Sequence, residues 1–120
     1  MFDSKVTTNK HGVNVKIHSN ILSDDEMSAA GFHHHSNDAW YFSKMIGPNL
    51  TFNVTIKDDN SDFMIDVLDD DYLEIYDYQE MLRYNPNHKT ANKVLKAVEK
   101  WMAYLQDAGI LSGHNVGEYI

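Results

Sequence analysis

Cysteine is absent from all 120 residues. That absence excludes a disulfide scaffold, a thiolate nucleophile and a zinc site built on cysteine. Proline is scarce, at two residues, while hydrophobic residues make up 42% of the chain, a globular composition rather than a disordered one. No apolar run approaches the length of a membrane span, and the first residues, MFDSKVTTNKHGVNVKIHS, lack an apolar signal core. The expectation is a single cytoplasmic domain over residues 1–120 with no membrane association. Signatures of common catalytic sites are missing as well: there is no G-x-S-x-G elbow, no P-loop and no dinucleotide fingerprint.

Basic residues are missing from one long stretch. Between Asp58 and Glu80 there are ten acidic residues and no Lys or Arg, within a chain of net charge −8. This charge disfavours direct binding to nucleic-acid phosphates over most of the surface. The exception is a stripe of Lys89, Lys93, Lys96 and Lys100, which wind to within roughly 60° of one another at about 100° per residue. Opposite them lie Ala91, Val94, Leu95, Val98, Trp101, Met102 and Leu105, in an apolar band roughly 120° wide by the same count. The spacing predicts an amphipathic helix over Lys89–Asp107, with Gly109 as a left-handed residue just past its end. Four lysines without arginine or an interleaved aromatic make a poor nucleic-acid signature, so exposure to water is the default reading of that face.

The remaining elements follow from periodicity and capping. Val13, Val15 and Ile17 alternate with polar residues as a half-buried strand does. Ser23 with Glu26 three residues later forms a capping box for a short helix, ended by Gly31. FHHHSND, from Phe32 to Asp38, reads as a polar loop. Ala39 to Ile46 is aromatic-rich and strand-like, and Gly47-Pro48-Asn49 turns the chain. Leu50, Phe52, Val54 and Ile56 make the cleanest strand, and Phe63, Ile65 and Val67 face one way on the next. Asp69 to Tyr78 reads either as a further strand around Tyr72–Tyr76 or as a loop. Asp77 with Glu80 predicts a second short helix from Tyr78 to Tyr84. The tail SGHNVGEYI is expected to tuck Tyr119 and Ile120 back onto the core. The fold class is α+β: an antiparallel sheet of about four strands with the long C-terminal helix on one face, plus two short helices.

Two constellations carry chemistry. His33 and His35 share one face of an extended segment, with Asp38 close by. Imidazole and carboxylate are ligands for a divalent metal, and a catalytic zinc needs three of them with one open position. His18, His88 and His114 are the other histidines that could complete the set. The pattern lacks the i, i+4 geometry of H-E-x-x-H, so a polar loop without a ligand is the plainer reading. Asp66, Asp69, Asp70, Asp71 and Asp77 are the second group. They suit Mg²⁺ or Ca²⁺ in type, yet Asp58-Asp59-Asn60-Ser61-Asp62 lacks the loop glycine and distal Glu of an EF-hand. No resident cofactor is expected, a divalent metal being the alternative.

The acidic stretch supports a non-enzymatic reading more directly. Asp62, Asp66 and Asp70 lie on one side of an extended chain, roughly 13 Å apart at about 3.3 Å per residue. Tyr72, Glu74, Tyr76 and Asp77 add aromatic and acidic groups, the mixture found in protein interfaces. The leading expectation is a binding protein that engages another protein through Asp62, Asp66, Asp69, Asp70, Asp71, Tyr72, Glu74, Tyr76 and Asp77. In one version it blocks the basic groove of a nucleic-acid-binding partner. The alternatives are a metal-dependent, hydrolase-like enzyme using His33, His35 and Asp38, and a self-associating module in which the lysine stripe of one copy meets the acidic stretch of another. In being small, acidic and cysteine-free the chain resembles accessory proteins of phages and other mobile elements, a likeness of general character that covers no motif.

Overall fold

A computed structural model of the protein describes residues 3–8, 14–36, 38–60 and 63–113. Asp62, His114, Tyr119 and Ile120 lie outside the described residues. The elements run β1 (Asp3–Thr8), β2 (Asn14–Ser19), α1 (Asp24–Ala30), β3 (His33–His35), β4 (Ala39–Gly47), β5 (Leu50–Lys57), β6 (Phe63–Asp69), β7 (Glu74–Ile75), α2 (Tyr78–Tyr84), α3 (Lys89–Asp107) and β8 (Leu111–Ser112). This is an α+β fold with two antiparallel sheets among the described residues, ordered β1-β2-β8 and β3-β4-β5-β6-β7. The expected sheet of about four strands is therefore five-stranded, and the N-terminal strand belongs to a second sheet.

Each helix stops and starts where local chemistry dictates. Ser23 Oγ accepts from the Glu26 N–H, Asp77 from the Glu80 N–H, and His88 Nδ1 from the Ala91 N–H. α3 ends in a Schellman arrangement, with the Gly109 N–H donating to Gln106 O and the Ile110 N–H to Leu105 O. Gly109 sits at φ 80, where a Cβ would be strained. The cap also wraps the chain so that Ile110 and Leu105 are both buried, leading directly into β8.

The core lies between α3 and one face of the five-stranded sheet. Phe42, Phe52, Val54, Ile56, Ile65 and Val67 point inward from β4, β5 and β6, and Val94, Val98, Met102 and Leu105 meet them from α3. Burying each such side chain contributes about 1.5–3 kcal/mol. At one end Phe42 packs on Phe32, Trp101 and Tyr104, with centroids 5.1, 5.7 and 6.2 Å away. Lys44 Nζ lies 5.3 Å from the Trp101 ring centroid. No helix among the described residues is long and apolar enough to cross a membrane.

Three short elements depart from the sequence expectations. β3, expected as loop, pairs with β4 through His33–Tyr41, His34–Trp40 and His35–Ala39. All three histidines are exposed, so no alternation of burial marks the strand. The pairing is imposed by a turn in which Asp38, at φ 61, donates its N–H to His35 O. β7, at Glu74–Ile75, falls inside the Tyr72–Tyr76 strand alternative but is only two residues long, and the residues before it form a turn. β1 has no apolar alternation in its sequence, DSKVTT, and exists by pairing with β2.

Candidate functional site

The outer face of the five-stranded sheet is set by register. Met45, Thr51, Leu68 and Ile75 stand opposite one another across β4, β5, β6 and β7 and form one row. The next row is polar: Ser43, Asn53 and Asp66. Ser43 Oγ donates to Asn53 Oδ1 at 2.7 Å, and Asn53 Nδ2 donates to Asp66 Oδ1 at 3.2 Å. Beyond it lie His33, Tyr41, Thr55 and Met64.

The acidic residues divide by what their carboxylates hold. Asp69 Oδ1 accepts from the N–H groups of Asp71 and Tyr72, closing the turn after β6. Asp70 accepts from Thr51 Oγ1 at 2.6 Å and donates its own N–H to Asn49 O, tying this turn to the neighbouring Asn49 turn. Asp77 caps α2. Asp66 lies on the outer face, whereas Asp70 is in the turn after β6 and meets Thr51 from there; Asp62, the third acid of the expected row, lies outside the described residues. Tyr76 donates its N–H to Val67 O, and burial, reinforced by the Asp69 carboxylate, raises its hydroxyl above the usual tyrosine range.

The turn and β7 after it are unusual in what they expose. Asp70 to Ile75, DDYLEI, is exposed at six consecutive positions. Tyr72, Leu73 and Ile75 are 76, 78 and 60% exposed. Leu73 also occupies the left-handed region at φ 54, a conformation that costs a side chain of this kind about 1–2 kcal/mol. Its side chain returns little burial against that cost. Leu73→Gly is therefore expected to leave stability unchanged or raise it by up to about 1 kcal/mol, the strain relief being partly offset by glycine's backbone entropy. Urea denaturation checks this, and a loss of more than about 1 kcal/mol would mean that the Leu73 side chain supports the fold.

The histidines are separated by the same register. His33 and His35 lie on the outer face, and the His35 ring meets Tyr41 edge-on with centroids 4.8 Å apart. Asp38 is in the hairpin turn. Among the described residues no group of three or more His, Asp or Glu side chains comes together in a way that could hold a metal ion. The partnership the sequence did not suggest is His34 with Asp58. His34 Nε2 lies 2.9 and 2.8 Å from the two carboxylate oxygens, and its ring packs on Trp40. Only the strand pairing of β3 brings residues 24 positions apart into this contact. Lys89, Lys93, Lys96 and Lys100 are all exposed, as the helical wheel implies.

No protein-family model matches the chain, and no curated protein matches it. Among solved structures, the fold is similar to that of a DUF1831 family protein from Lactobacillus plantarum. The TM-score is 0.59 at 15% sequence identity, covering 81% of this chain and 85% of that one, so the likeness is one of fold alone.

Proposed function

We propose that this chain is a non-enzymatic binding protein that engages a basic protein through the β6–β7 turn and the adjoining edge of the outer sheet face. The observation that carries this reading is the exposure of six consecutive residues in which Tyr72, Leu73 and Ile75 are interspersed with Asp70, Asp71 and Glu74. Tyrosine and aliphatic groups provide the apolar area that dominates binding energy once desolvated. Asp70, Asp71 and Glu74 around them attract a cationic surface and raise its rate of encounter. The strained Leu73 backbone adds to this, because strain without burial points to a role outside the fold. A nucleic-acid-binding groove is a partner surface of the required charge, and this turn would occupy it in competition with phosphate.

The test is capture from nuclease-treated lysate of the source organism, with a non-histidine tag and elution along a salt gradient. A basic protein released by salt is expected. Its recovery should fall at least tenfold for Tyr72→Ser/Leu73→Gly and for Asp70→Asn/Asp71→Asn/Glu74→Gln, and stay unchanged for Lys93→Ala/Lys96→Ala. Full recovery with both turn variants would refute the reading.

A further inference from the structure

β7 ends after two residues, and the chain then leaves the sheet to enter α2. Between β6 and residues 75–79 this leaves a cavity of about 80 Å³. Phe52, Ile65, Val67 and Val98 line it and are buried, whereas Ile75 and Asp77 are exposed and Asp66 is half-buried. The slot thus runs from the acidic outer face, beside the exposed turn, down to an apolar floor between sheet and α3.

We propose that this slot is an anchor pocket that takes one branched aliphatic side chain of the partner, flanked in the partner's sequence by Lys or Arg that pair with Asp66 and Asp77. The proposal rests on the protein-binding reading above and names the chemistry that reading requires. Size sets the anchor. An apolar cavity of about 150 Å³ stays dry and accepts benzene, so roughly half that volume suits an isopropyl or isobutyl group. Charge sets the flanks. Asp66 Oδ1 is held by Asn53 and Asp77 Oδ1 by the Glu80 N–H, yet each carboxylate has further lone pairs for a cation. Continuity with Ile75 and Leu73 places the slot within a patch that a partner would desolvate, the setting in which buried anchors dominate affinity.

The test needs no natural partner. Acetyl-Arg-Leu-Arg-amide is titrated into the isotope-labelled full chain and followed by amide and methyl shifts. Saturable millimolar binding is expected, with shifts centred on Ile65, Val67, Ile75 and Val98. Acetyl-Arg-Ala-Arg-amide and acetyl-Glu-Leu-Glu-amide should each bind at least fivefold more weakly. Val98→Leu, which fills part of the slot, should weaken the first peptide at least fivefold. Asp66→Asn/Asp77→Asn should weaken it while leaving the acidic peptide's binding unreduced, and it preserves the α2 cap because Asn caps as well as Asp. Equal shifts from all three peptides, shifts centred elsewhere, or no saturable shift would overturn the proposal. Partner capture that depends on Tyr72 and Leu73 but ignores Val98→Leu would overturn the slot and leave the surface reading standing.

Discussion

Phe42→Ala is expected to lower stability by about 3–5 kcal/mol, as truncation of a fully enclosed aromatic does. Phe42 is completely buried and stands where β4, the end of α1 and α3 converge. Its ring meets Phe32, Phe52, Trp101 and Tyr104 at centroid distances of 5.1 to 6.3 Å. Aromatic pairs add about 0.5–1.5 kcal/mol each beyond their buried area. Lys44 Nζ, 5.4 Å from the ring centroid, loses a partner as well. The site cannot collapse easily, because Tyr104 is held in place by donating its hydroxyl to Ala30 O at 2.7 Å. Phe42→Leu keeps most of the volume but gives up the ring contacts, so it is expected to cost about 1–3 kcal/mol, less than alanine. Guanidinium denaturation of both variants is the measurement. A loss below about 1.5 kcal/mol for the alanine variant would mean that the neighbouring rings close over the gap.

This convergence explains which parts of the fold were legible in the sequence. α2 and α3 occupy the predicted ranges, Tyr78–Tyr84 and Lys89–Asp107, because their signals are local. Capping residues and the 3.6-residue period act within a few positions of each other. β5 is legible for the same reason, as its alternation of buried and half-buried residues matches Leu50, Phe52, Val54 and Ile56. β1, β3 and β8 were not legible, and β7 only as one of two alternatives, since each is short or polar and exists only through its neighbour's backbone. The His34–Asp58 contact inherits that blindness. So does the slot, which depends on where β7 stops.

The candidate surface divides in the same way. Charge density over Asp58–Glu80 is visible from composition, but composition counts every carboxylate alike. Asp69 and Asp77 are engaged with backbone N–H groups, whereas Asp71 lies exposed in the turn and Glu74 exposed in β7. The Asp77–Glu80 capping pattern was the available clue that one acid belongs to a helix start. Nothing local announced that Leu73 would be exposed and left-handed. A leucine between Tyr72 and Glu74 reads as a core residue until the turn is known.

Asn60→Ala is the second large loss expected, about 3–4 kcal/mol, and it tests how the two sheets are joined. Asn60 closes the β5–β6 turn at φ 57, where asparagine is tolerated better than alanine. Its side chain reaches 41 residues back to β2. Ser19 Oγ donates to Asn60 Oδ1 at 2.8 Å, and Asn60 Nδ2 donates to Ser19 O at 3.2 Å. Both residues are buried, so truncation leaves the Ser19 hydroxyl without its partner away from water, at about 1–3 kcal/mol, and the left-handed backbone adds about 1–2 kcal/mol for alanine. Asn60→Gly removes the same bonds without the left-handed penalty and should cost about 1 kcal/mol less than alanine. Asn60→Asp retains the acceptor and the backbone preference but sets a carboxylate against the Ser19 carbonyl. Burial beside a carbonyl raises the folded-state pKa of that carboxyl above its unfolded value of about 3.9. Its destabilisation should therefore be full at neutral pH and shrink as pH falls through the raised pKa, where the protonated acid can donate in place of Nδ2. Denaturation midpoints of the three variants at two pH values separate bond loss, backbone strain and charge. If all three lie within about 0.5 kcal/mol of the parent at both pH values, the Ser19–Asn60 clamp does not hold β2 against the β5–β6 turn.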